Sequence, residues 1–470
     1  MKINNLIFRA YDIRGISDPD ENQKADLTNH DAYLIGKATA TYLIKKYSST
    51  RMAIGRDCRL TSKSLQDFFI KGLNECGLST VDVGLSISPF IYYATCKFSD
   101  IDCGANITAS HNPKQYNGIK IVVKNAHSIC GDELQEILKI INEDSFLITE
   151  KKGTNESRDL KNIYLQELAS KFKISKPLKV VVDSGNGTAG IFAPEFLRML
   201  GCEVTELFCD LDGNFPNHEA NPEEEKNMQE LIKKIKEIGA DIGFGFDGDG
   251  DRIGIVDEKG HMYNADLILL LLTRDLVTRK KNPKIVFDVK VSQVVINEIK
   301  NAGAEPIMSK TGHSFIEQKM KEINADLGGE ISGHLFFKEN YYGFDDAMFA
   351  AGKIAEILSN SNAPFSNMFA DLPKTFSTPE IKLACPDNKK FEIVKNLSDF
   401  FTKSYPCITI DGVRASFTKN SWGAVRASNT SPNLTLRFEA ETQEELTKII
   451  KLMEERLKKF PEINLENLLA

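Results

Sequence analysis

One strand–helix–strand pattern occurs three times along this chain of 470 residues, and it constrains the fold more than any other feature. Each copy opens with an apolar run ending in aspartate: RMAIGRD (51 to 57), KVVVDSG (179 to 185) and KIVFDVK (284 to 290). We interpret each run as a buried strand of an α/β sheet. A helical pattern, a helix-ending glycine (Gly77, Gly201 or Gly303) and a second strand follow in each copy. The sequence therefore predicts three similar α/β domains with mixed sheets.

Each copy also carries an unusual polar loop directly after a later strand. The three loops lie in the segments DIDCGANITASHNP, ADIGFGFDGDGDR and ADLGGEISGH. Because ligands bind at the carboxyl ends of strands in open α/β sheets, we expect the three loops to line one central cleft.

The pattern changes after residue 368. The segments DGVRASF, SWGAVRAS and NLTLRFEAE are typical of antiparallel strands, and TQEELTKIIKLMEERLKKF predicts an amphipathic helix with a capping box at Thr442 and Glu445. We therefore expect a fourth, C-terminal α+β domain. The predicted domain boundaries are 1–150, 151–256, 257–368 and 369–470.

Composition narrows the function classes. The net charge of -7 and the pI near 5.7 give no reason to expect nucleic acid as a partner. No stretch approaches the roughly 18 apolar residues of a membrane span, and the N-terminal segment lacks the pattern of a secretory signal. The nine cysteines are scattered without metal-site spacing, which suits reduced thiols. We therefore expect a cytoplasmic protein that does not bind membranes.

The segment FDGDGDR (246 to 252) predicts a cation site. Asp247, Asp249 and Asp251 match the first ligand positions of an EF-hand, but Arg252 occupies the position that requires glycine, and the flanking segments predict strands instead of helices. A purely structural acidic turn is the other alternative. Three carboxylates this close repel one another unless a cation lies among them, and hard oxygen ligands favour Mg²⁺.

The segment TASHNPKQYNGIK (108 to 120) predicts an exposed serine in a tight loop. Ser110 lies between Ala109 and His111, and Pro113 and Gly118 favour a turn. A polar turn without function is the alternative. Beside a magnesium loop in the next repeat, a nucleophilic or phosphorylated serine is the better interpretation, since phosphoserine supplies oxygens that a metal binds.

Two further loops carry groups suited to a phosphorylated sugar. GGEISGH offers Glu330, Ser332 and His334, a mixture that suits sugar hydroxyl groups, although a satisfied polar turn is equally compatible. RASNTSP predicts a phosphate clamp made of Arg426, Ser428, Asn429 and Thr430. A third segment, GNGTAG (185 to 190), fits a dinucleotide fingerprint, but Asp183 directly before it would oppose a pyrophosphate. We attribute its glycines to tight packing between strand and helix.

Taken together, the chain resembles the α-D-phosphohexomutases over essentially its full length, and most closely the bacterial phosphomannomutase/phosphoglucomutase branch. The resemblance rests on the joint order of six segments: FRAYDIRG, GRDCRLTS, TASHNP, FDGDGDR, GEISGH and RASNTSP. It implies four domains around a central cleft, the first three sharing one fold. It also implies a phosphoserine-loop domain, a metal-binding domain, a sugar-binding domain and a phosphate-binding domain, in that order.

The resemblance implies roles for individual residues. Ser110 is implied to be a phosphoserine that binds Mg²⁺ together with Asp247, Asp249 and Asp251. Acid or base roles, without assignment of which is which, are implied for Lys120, His334 and Arg14. Sugar-hydroxyl contacts are implied for Glu330 and Ser332, and phosphate contacts for Arg426, Ser428, Asn429 and Thr430. Tyr11, Arg252, Lys290 and His313 are implied to bind substrate, with His111 and Asn112 supporting the serine loop.

The implied activity is interconversion of hexose 1-phosphate and hexose 6-phosphate through a hexose 1,6-bisphosphate, with glucose, mannose or both as the hexose. The bisphosphate acts as activator and intermediate, and we expect a monomer or weak dimer. Phosphoglucosamine mutase is the alternative within the same superfamily, although RASNTSP differs from the pattern that is usual there. Ala109 also departs from the glycine that the dual-specificity branch often carries.

Overall fold

Separate sheets follow the repeats in the computed structural model, which describes residues 3–21, 23–428, 431–465 and 468. The apolar runs that end in Asp57, Asp183 and Asp288 form buried strands, as the sequence predicts. Gly77, Gly201 and Gly303 have φ of 95°, 87° and 92°, the left-handed conformation expected after a helix. The α/β fold class with mixed sheets is therefore confirmed.

The first sheet is mixed. Its strands run in the order β1-β5-β4-β2-β3-β7, with β6 paired to β5; they are β1 (Ile13–Ile16), β2 (Arg51–Arg56), β3 (Ser79–Leu85), β4 (Cys103–Ile107), β5 (Tyr116–Val123), β6 (His127–Ser128) and β7 (Asn155–Ser157). β2 is parallel to β3 and β4, whereas β5 is antiparallel to β1 and β4. The helices are α1 (Asn29–Tyr47), α2 (Ser62–Glu75), α3 (Ser88–Lys97) and α4 (Asp132–Asn142).

The second sheet repeats the parallel centre of the first. Its order is β12-β11-β10-β8-β9, made of β8 (Lys179–Asp183), β9 (Glu203–Leu207), β10 (Ile242–Phe246), β11 (Ile253–Asp257) and β12 (Met262–Tyr263). β8 is parallel to β9 and β10, and β10 turns back antiparallel into β11. The accompanying helices are α5 (Lys161–Ala169), α6 (Ala193–Met199) and α7 (Gln229–Ile238).

The third repeat begins with α8 (Ala265–Val277). Its strands are β13 (Lys284–Asp288), β14 (Glu305–Ser309), β15 (Leu327–Gly329) and β16 (Leu335–Phe337), and its other helices are α9 (Gln293–Asn301), α10 (His313–Ile323) and α11 (Ala347–Asn360). β13 lies between β14 and β15 and is parallel to both. The parallel centre of the first two sheets is thus present a third time.

The C-terminal region is antiparallel, as predicted. Its strands are β17 (Phe376–Ser377), β18 (Ile381–Ala384), β19 (Cys407–Ile408), β20 (Val413–Ser416), β21 (Trp422–Ala427) and β22 (Asn433–Ala440), and its helices are α12 (Asp387–Phe401) and α13 (Gln443–Leu457). Thr442 caps α13 by accepting a hydrogen bond from the backbone N–H of Glu445 at 3.2 Å. Leu446, Ile449 and Met453 bury the predicted apolar face of this helix.

The chain forms two compact units. One contains Met1–Ile268 and Ser332–Met368, and the other contains Leu269–Ile331 and Phe369–Ala470. Each has a hydrophobic core of its own, around Ile54 and Phe69 in the first and around Leu397 and Phe438 in the second. Within the described residues, no helix combines the length and apolar character needed to cross a membrane.

Close packing of α1 on α2 supports the start of the first repeat. A Cβ added at Gly36 would lie 2.3 Å from the carbonyl oxygen of Phe69, and one added at Gly72 would lie 2.2 Å from that of Tyr33. Neither carbonyl group can move easily to make room, since each belongs to the backbone of a helix. The two glycines therefore set the distance between the helices.

We expect Gly36→Ala to lower the free energy of unfolding by about 1–3 kcal/mol, because overpacking outweighs the better helix propensity of alanine. Thermal and urea unfolding measure the change. Lys45→Ala, at an exposed position of the same helix, is the control and should change stability by less than about 0.5 kcal/mol. An unchanged or raised stability of Gly36→Ala would contradict this account of the packing.

Candidate active site

Ser110 lies in the loop between β4 and β5 with its backbone in the left-handed region. Its φ is 52°, and the expectation of an exposed serine is wrong, since the residue is only 2% exposed. The backbone N–H of Ser110 donates to Thr108 Oγ1 at 2.9 Å, and its Oγ donates to Asp247 Oδ2 at 2.7 Å. His111 Nδ1 lies 3.2 Å from the same Oγ. The structure thus brings the serine of the first repeat to the acidic loop of the second.

The acidic loop connects β10 to β11, and its three aspartates are fully buried. One oxygen from each of Asp247, Asp249 and Asp251 lies within 4.8 Å of the other two. The backbone N–H groups of Asp251 and Arg252 donate to Asp247 Oδ1 at 3.1 and 3.2 Å. Strands on both sides of the loop agree with the sequence argument against an EF-hand.

This loop fits a divalent cation that prefers oxygen ligands. Within the described part of the chain, Asp249 Oδ1 and Asp251 Oδ1 are buried without a hydrogen-bond partner. Burial raises the pKa of Asp247 well above its usual range, and the charges of Asp251 and Asp249 add to this rise. Buried carboxylate oxygens without donors are costly unless a cation binds them. A hard cation such as Mg²⁺ satisfies this requirement.

Lys120 supplies one positive charge from β5. Its Nζ donates to Asp249 Oδ2 at 2.7 Å and to Asp251 Oδ2 at 2.5 Å, and its side chain is 6% exposed. Burial alone would lower the pKa of Lys120, but the two aspartates raise it well above its usual value. In the same way Lys120 holds the pKa of Asp251 well below its usual range, although burial opposes this. Lys120 is therefore charged in this arrangement.

His334 contacts the other side of the acidic loop. Its Nε2 accepts a hydrogen bond from Arg252 Nε at 2.9 Å, and its Nδ1 lies 2.6 Å from Asp345 Oδ2. Because a guanidinium only donates, this geometry belongs to a neutral imidazole with its proton on Nδ1. Burial opposes protonation, but Asp251 and Asp345 raise the pKa of His334. Protonation of Nε2 would break the contact with Arg252.

Arg14 reaches the serine loop from β1. Its guanidinium donates to Asn112 Oδ1 at 2.9 Å and forms an ion pair with Asp12. Tyr11 precedes this strand and is half-buried. Arg14, Asn112, His111 and Ser110 are thus neighbours in space.

The glycines of GNGTAG allow close approach between backbones. A Cβ added at Gly187 would lie 2.9 Å from the Cα of Gly248 in the acidic loop, and one at Gly190 would lie 2.2 Å from the carbonyl oxygen of Cys209. The segment leads into a short 3-10 helix, Thr188–Ile191. The close packing predicted here is therefore present, but it is made with two neighbouring loops instead of between a strand and a helix.

In the second compact unit, Lys290 comes two residues after the end of β13. Its ammonium pairs with the carboxylate of Glu380 and lies 3.6 Å from Asp288 Oδ2. Burial of the Glu380 carboxyl group would raise its pKa, but the ammonium of Lys290 lowers this pKa to about 2. The ammonium of Lys290 is therefore balanced by carboxylates of the protein itself.

Glu330 and Arg426 lie near the same short segment of this unit. Glu330 Oε1 accepts from the backbone N–H of Gly312 at 2.5 Å, and Asp411 Oδ2 accepts from the neighbouring N–H of Thr311 at 3.0 Å. Arg426 Nε donates to the same oxygen of Asp411 at 2.7 Å. His313, at the start of α10, follows this segment.

For the other predicted residues, the structure gives fewer contacts. Ser428 Oγ lies 2.9 Å from Ser431 Oγ, and the Ser428 N–H donates to the carbonyl of Asn433 at 2.9 Å. Ser332 is half-buried and belongs to the first compact unit. Asn429 and Thr430 lie outside the described residues.

Three carboxylates that pair with predicted residues were missed by sequence reasoning. They are Asp345 beside His334, Glu380 beside Lys290 and Asp411 beside Arg426. Glu380 and Asp411 lie far along the chain from at least one of the groups they contact, so no local spacing points to them. Asp345 lies next to Asp346, which caps α11, and a pair of aspartates before a helix gives only a weak signal.

Comparison with known families accounts for nearly the whole chain. Residues 5–147, 162–260 and 264–376 match the phosphoglucomutase/phosphomannomutase alpha/beta/alpha domains I, II and III, respectively. Residues 380–456 match the phosphoglucomutase/phosphomannomutase C-terminal domain. The four matches follow one another in chain order.

Similar proteins span the same length. The phosphomannomutase/phosphoglucomutase of Pseudomonas aeruginosa is 41% identical over 453 residues, covering 96% of this chain and 95% of that protein. A phosphoglucomutase of Neisseria meningitidis serogroup A is 41% identical over 449 residues, covering 94% and 95%. The crystal structure of a phosphoglucomutase/phosphomannomutase family protein from Burkholderia thailandensis superposes with a TM-score of 0.89 at 36% identity, covering 98% of this chain and 99% of that one.

We expect Lys120→Gln to strengthen Mg²⁺ binding at the acidic loop by about tenfold or more, because it removes a positive charge from beside two of the carboxylates. Calorimetric titration of the dephosphorylated protein measures the dissociation constant. Lys63→Gln, which removes one charge from the surface of α2, controls for the change in net charge. Weaker binding in Lys120→Gln than in Lys63→Gln would mean that Lys120 holds the loop in shape instead of competing with the cation.

Proposed function

This chain belongs to the phosphoglucomutase/phosphomannomutase family, and from that premise we propose that it interconverts the 1-phosphates and 6-phosphates of glucose and mannose. The observation that carries the proposal is the hydrogen bond from Ser110 Oγ to Asp247, within a buried group of three carboxylates. A serine held against a cation-binding loop suits a phosphoryl carrier. The relatives' names favour glucose and mannose over the glucosamine alternative.

Ser110 is proposed to carry the phosphoryl group. In the first half-reaction the bond from phosphorus to Ser110 Oγ breaks and a bond forms to the 6-hydroxyl oxygen of a hexose 1-phosphate, whose proton passes to a base. The product is a hexose 1,6-bisphosphate. After this intermediate reverses its orientation, a bond forms from Ser110 Oγ to the phosphorus of the 1-phosphoryl group and the bond from that phosphorus to the sugar O1 breaks. The serine hydroxyl gives up its proton, O1 gains one, and hexose 6-phosphate is released.

Asp247, Asp249 and Asp251 are proposed to hold Mg²⁺ together with an oxygen of the phosphoryl group on Ser110. The buried oxygens of Asp249 and Asp251 without donors support this assignment. When bound, Mg²⁺ neutralises charge that develops on the transferring group.

His334 is proposed as the base that takes the hydroxyl proton. Support comes from its neutral state in the present arrangement and from Asp345, which orients the ring. Lys120 and Arg14 carry positive charge, so they suit stabilisation of the phosphoryl oxygens and, for Lys120, return of a proton to the leaving group. His111 and Asn112 are proposed to support the serine loop, which Arg14 contacts through Asn112.

The remaining residues are proposed to bind substrate. Glu330 and Ser332 would contact sugar hydroxyl groups; Arg426, Ser428, Asn429 and Thr430 would contact the phosphate that does not react; and Tyr11, Arg252, Lys290 and His313 would complete the site. If Glu330 binds the 3- and 4-hydroxyls, which glucose and mannose share, the enzyme would accept both hexoses. Such contacts can be made in both orientations of the bisphosphate.

The arrangement of the chain is proposed as follows. The serine-loop, metal-binding, sugar-binding and phosphate-binding domains would span 1–150, 151–256, 257–368 and 369–470. We further propose a cytoplasmic enzyme, monomeric or weakly dimeric, which is consistent with nine scattered cysteines.

Ser110→Ala should lower turnover of glucose 1-phosphate and mannose 1-phosphate by about 1000-fold or more, because the carrier oxygen is lost. A coupled assay measures turnover, and intact mass measures the phosphate bound to the protein. Ser48→Ala is the matched control, since Ser48 also has a left-handed backbone, φ 54°, at the end of α1. Turnover in Ser110→Ala close to that in Ser48→Ala would overturn the proposal.

Arg252→Ala should reduce turnover by about 10–100-fold while leaving Mg²⁺ affinity within about threefold. The backbone N–H of residue 252 holds Asp247, whereas the side chain contacts His334 and lies 3.7 Å from Glu223. Steady-state kinetics and calorimetry separate the two effects. Arg252→Lys, which keeps the charge, should lose less turnover; an equal loss of turnover and metal affinity in Arg252→Ala would assign the side chain to the shape of the loop.

A further inference from the structure

Arg59 stands outside the proposed machinery, yet its side chain is directed entirely at the serine loop and at the strand-ending Asp57. The side chain is 1% exposed. Its NH1 donates to the carbonyl oxygens of Pro113 at 2.8 Å and Tyr116 at 3.1 Å, and its NH2 donates to those of Ser110 at 2.8 Å and Asn112 at 2.5 Å. The remaining N–H, on Nε, donates to Asp57 Oδ2 at 3.1 Å. All five guanidinium donors therefore have acceptors.

The planar guanidinium of Arg59 and its five donors are called the Arg59 fork below. Asp57 fixes the direction of this fork. Its second oxygen accepts from the backbone N–H of Arg59 at 3.0 Å and from Ser62 Oγ at 2.5 Å. The ring of Phe215 lies 5.0 Å from the guanidinium carbon. The fork is thus anchored to the end of β2 and the start of α2, which are regular elements of the first sheet and its helices.

The carbonyl of Ser110 is the critical acceptor. A left-handed φ is unfavourable for serine, so the loop needs outside contacts to hold it. On its other side the same carbonyl meets Gly248, where an added Cβ would lie 2.5 Å from the oxygen. The Ser110 carbonyl therefore lies between the Arg59 fork and the acidic loop.

We propose that Arg59 is a positioning residue for phosphoryl transfer, one that holds the Ser110 backbone at the distance and direction from which Oγ meets the acidic loop. The inference rests on the proposed role of Ser110. A lysine cannot replace the fork, because one ammonium with three tetrahedral donors cannot bind four carbonyls and Asp57 together.

The test follows phosphorylation of Ser110 itself. Wild-type and Arg59→Lys protein, both dephosphorylated, are mixed with glucose 1,6-bisphosphate and Mg²⁺, and intact mass is read over time. We expect Arg59→Lys to take up phosphate about 100-fold more slowly, with kcat lowered to match and KM for glucose 1-phosphate within about threefold. Thermal unfolding verifies that the variant is folded.

A cavity of about 220 Å³ borders the fork and permits a second measurement. Its lining includes Arg59, Asn112 and Phe215. Guanidinium chloride at millimolar concentration should enter the space left in Arg59→Ala and restore part of kcat. Ammonium chloride at the same concentration, which offers no planar fork, should not.

The outcomes separate the two proposals. Wild-type protein that takes up no phosphate would refute the role of Ser110. Phosphorylation of Arg59→Lys at the wild-type rate, or a loss of KM and thermal stability in step with kcat, would refute the positioning role alone. Should Arg59→Lys not fold, Asp57→Asn weakens the anchor while keeping the fork. It is expected to slow phosphorylation about tenfold, and an unchanged rate would overturn the proposal.

Discussion

Three carboxylates buried within 4.8 Å of one another are the constraint on which the first compact unit depends. Such a group repels itself, and burial removes the water that would screen it. The surroundings supply the compensation: the ammonium of Lys120, the backbone N–H groups that bind Asp247, and the hydroxyl of Ser110. Each compensating group comes from a different strand or loop. The contacts of the acidic loop with Lys120 and Ser110 therefore hold the first and second repeats together, and they involve the same groups that are proposed to take part in catalysis.

The strand-ending aspartates show how one fold unit was adapted three times. Asp57 accepts from Arg59, Asp183 lies 3.2 Å from His218 Nε2, and Asp288 lies 3.6 Å from the ammonium of Lys290. Each aspartate thus pairs with a basic side chain at the carboxyl end of its strand, where ligands bind in α/β sheets. The position is shared, but the partner differs in kind. An arginine suits a fork of carbonyls, whereas a lysine suits a point contact.

Local sequence patterns predicted the parts of this structure that depend on neighbours along the chain. The buried strands before Asp57, Asp183 and Asp288 and the meeting of Ser110 with the acidic loop all followed from apolar runs, glycines and loop positions. The apolar pattern of α2 did not show which edge of the helix faces solvent: Leu65 and Phe69 are buried, whereas Phe68 is 39% exposed.

Contacts across long stretches of chain were not predictable in this way. Asp411 accepts a hydrogen bond from the backbone N–H of Thr311, 100 residues away in the sequence. Glu380 accepts one from Lys290, which is 90 residues away. The sequence around a carboxylate in a loop does not indicate which distant group it will contact. The motif GRDCRLTS was visible, yet the direction of the Arg59 side chain depends on where four carbonyls of another loop lie.

The paired cations of the second compact unit bear on how a phosphate would bind there. Arg426 donates to Asp411 and Lys290 pairs with Glu380, so each cation already has a carboxylate partner. Burying a cation without a partner costs the full free energy of its hydration, whereas a carboxylate partner offsets part of that cost. A phosphate that binds Arg426 as proposed would therefore compete with Asp411 for the guanidinium, and the affinity gained would be the difference between the two anions. Such an exchange would keep binding modest, which suits the proposed reaction, because the bisphosphate intermediate must release its contacts and bind again in the opposite orientation.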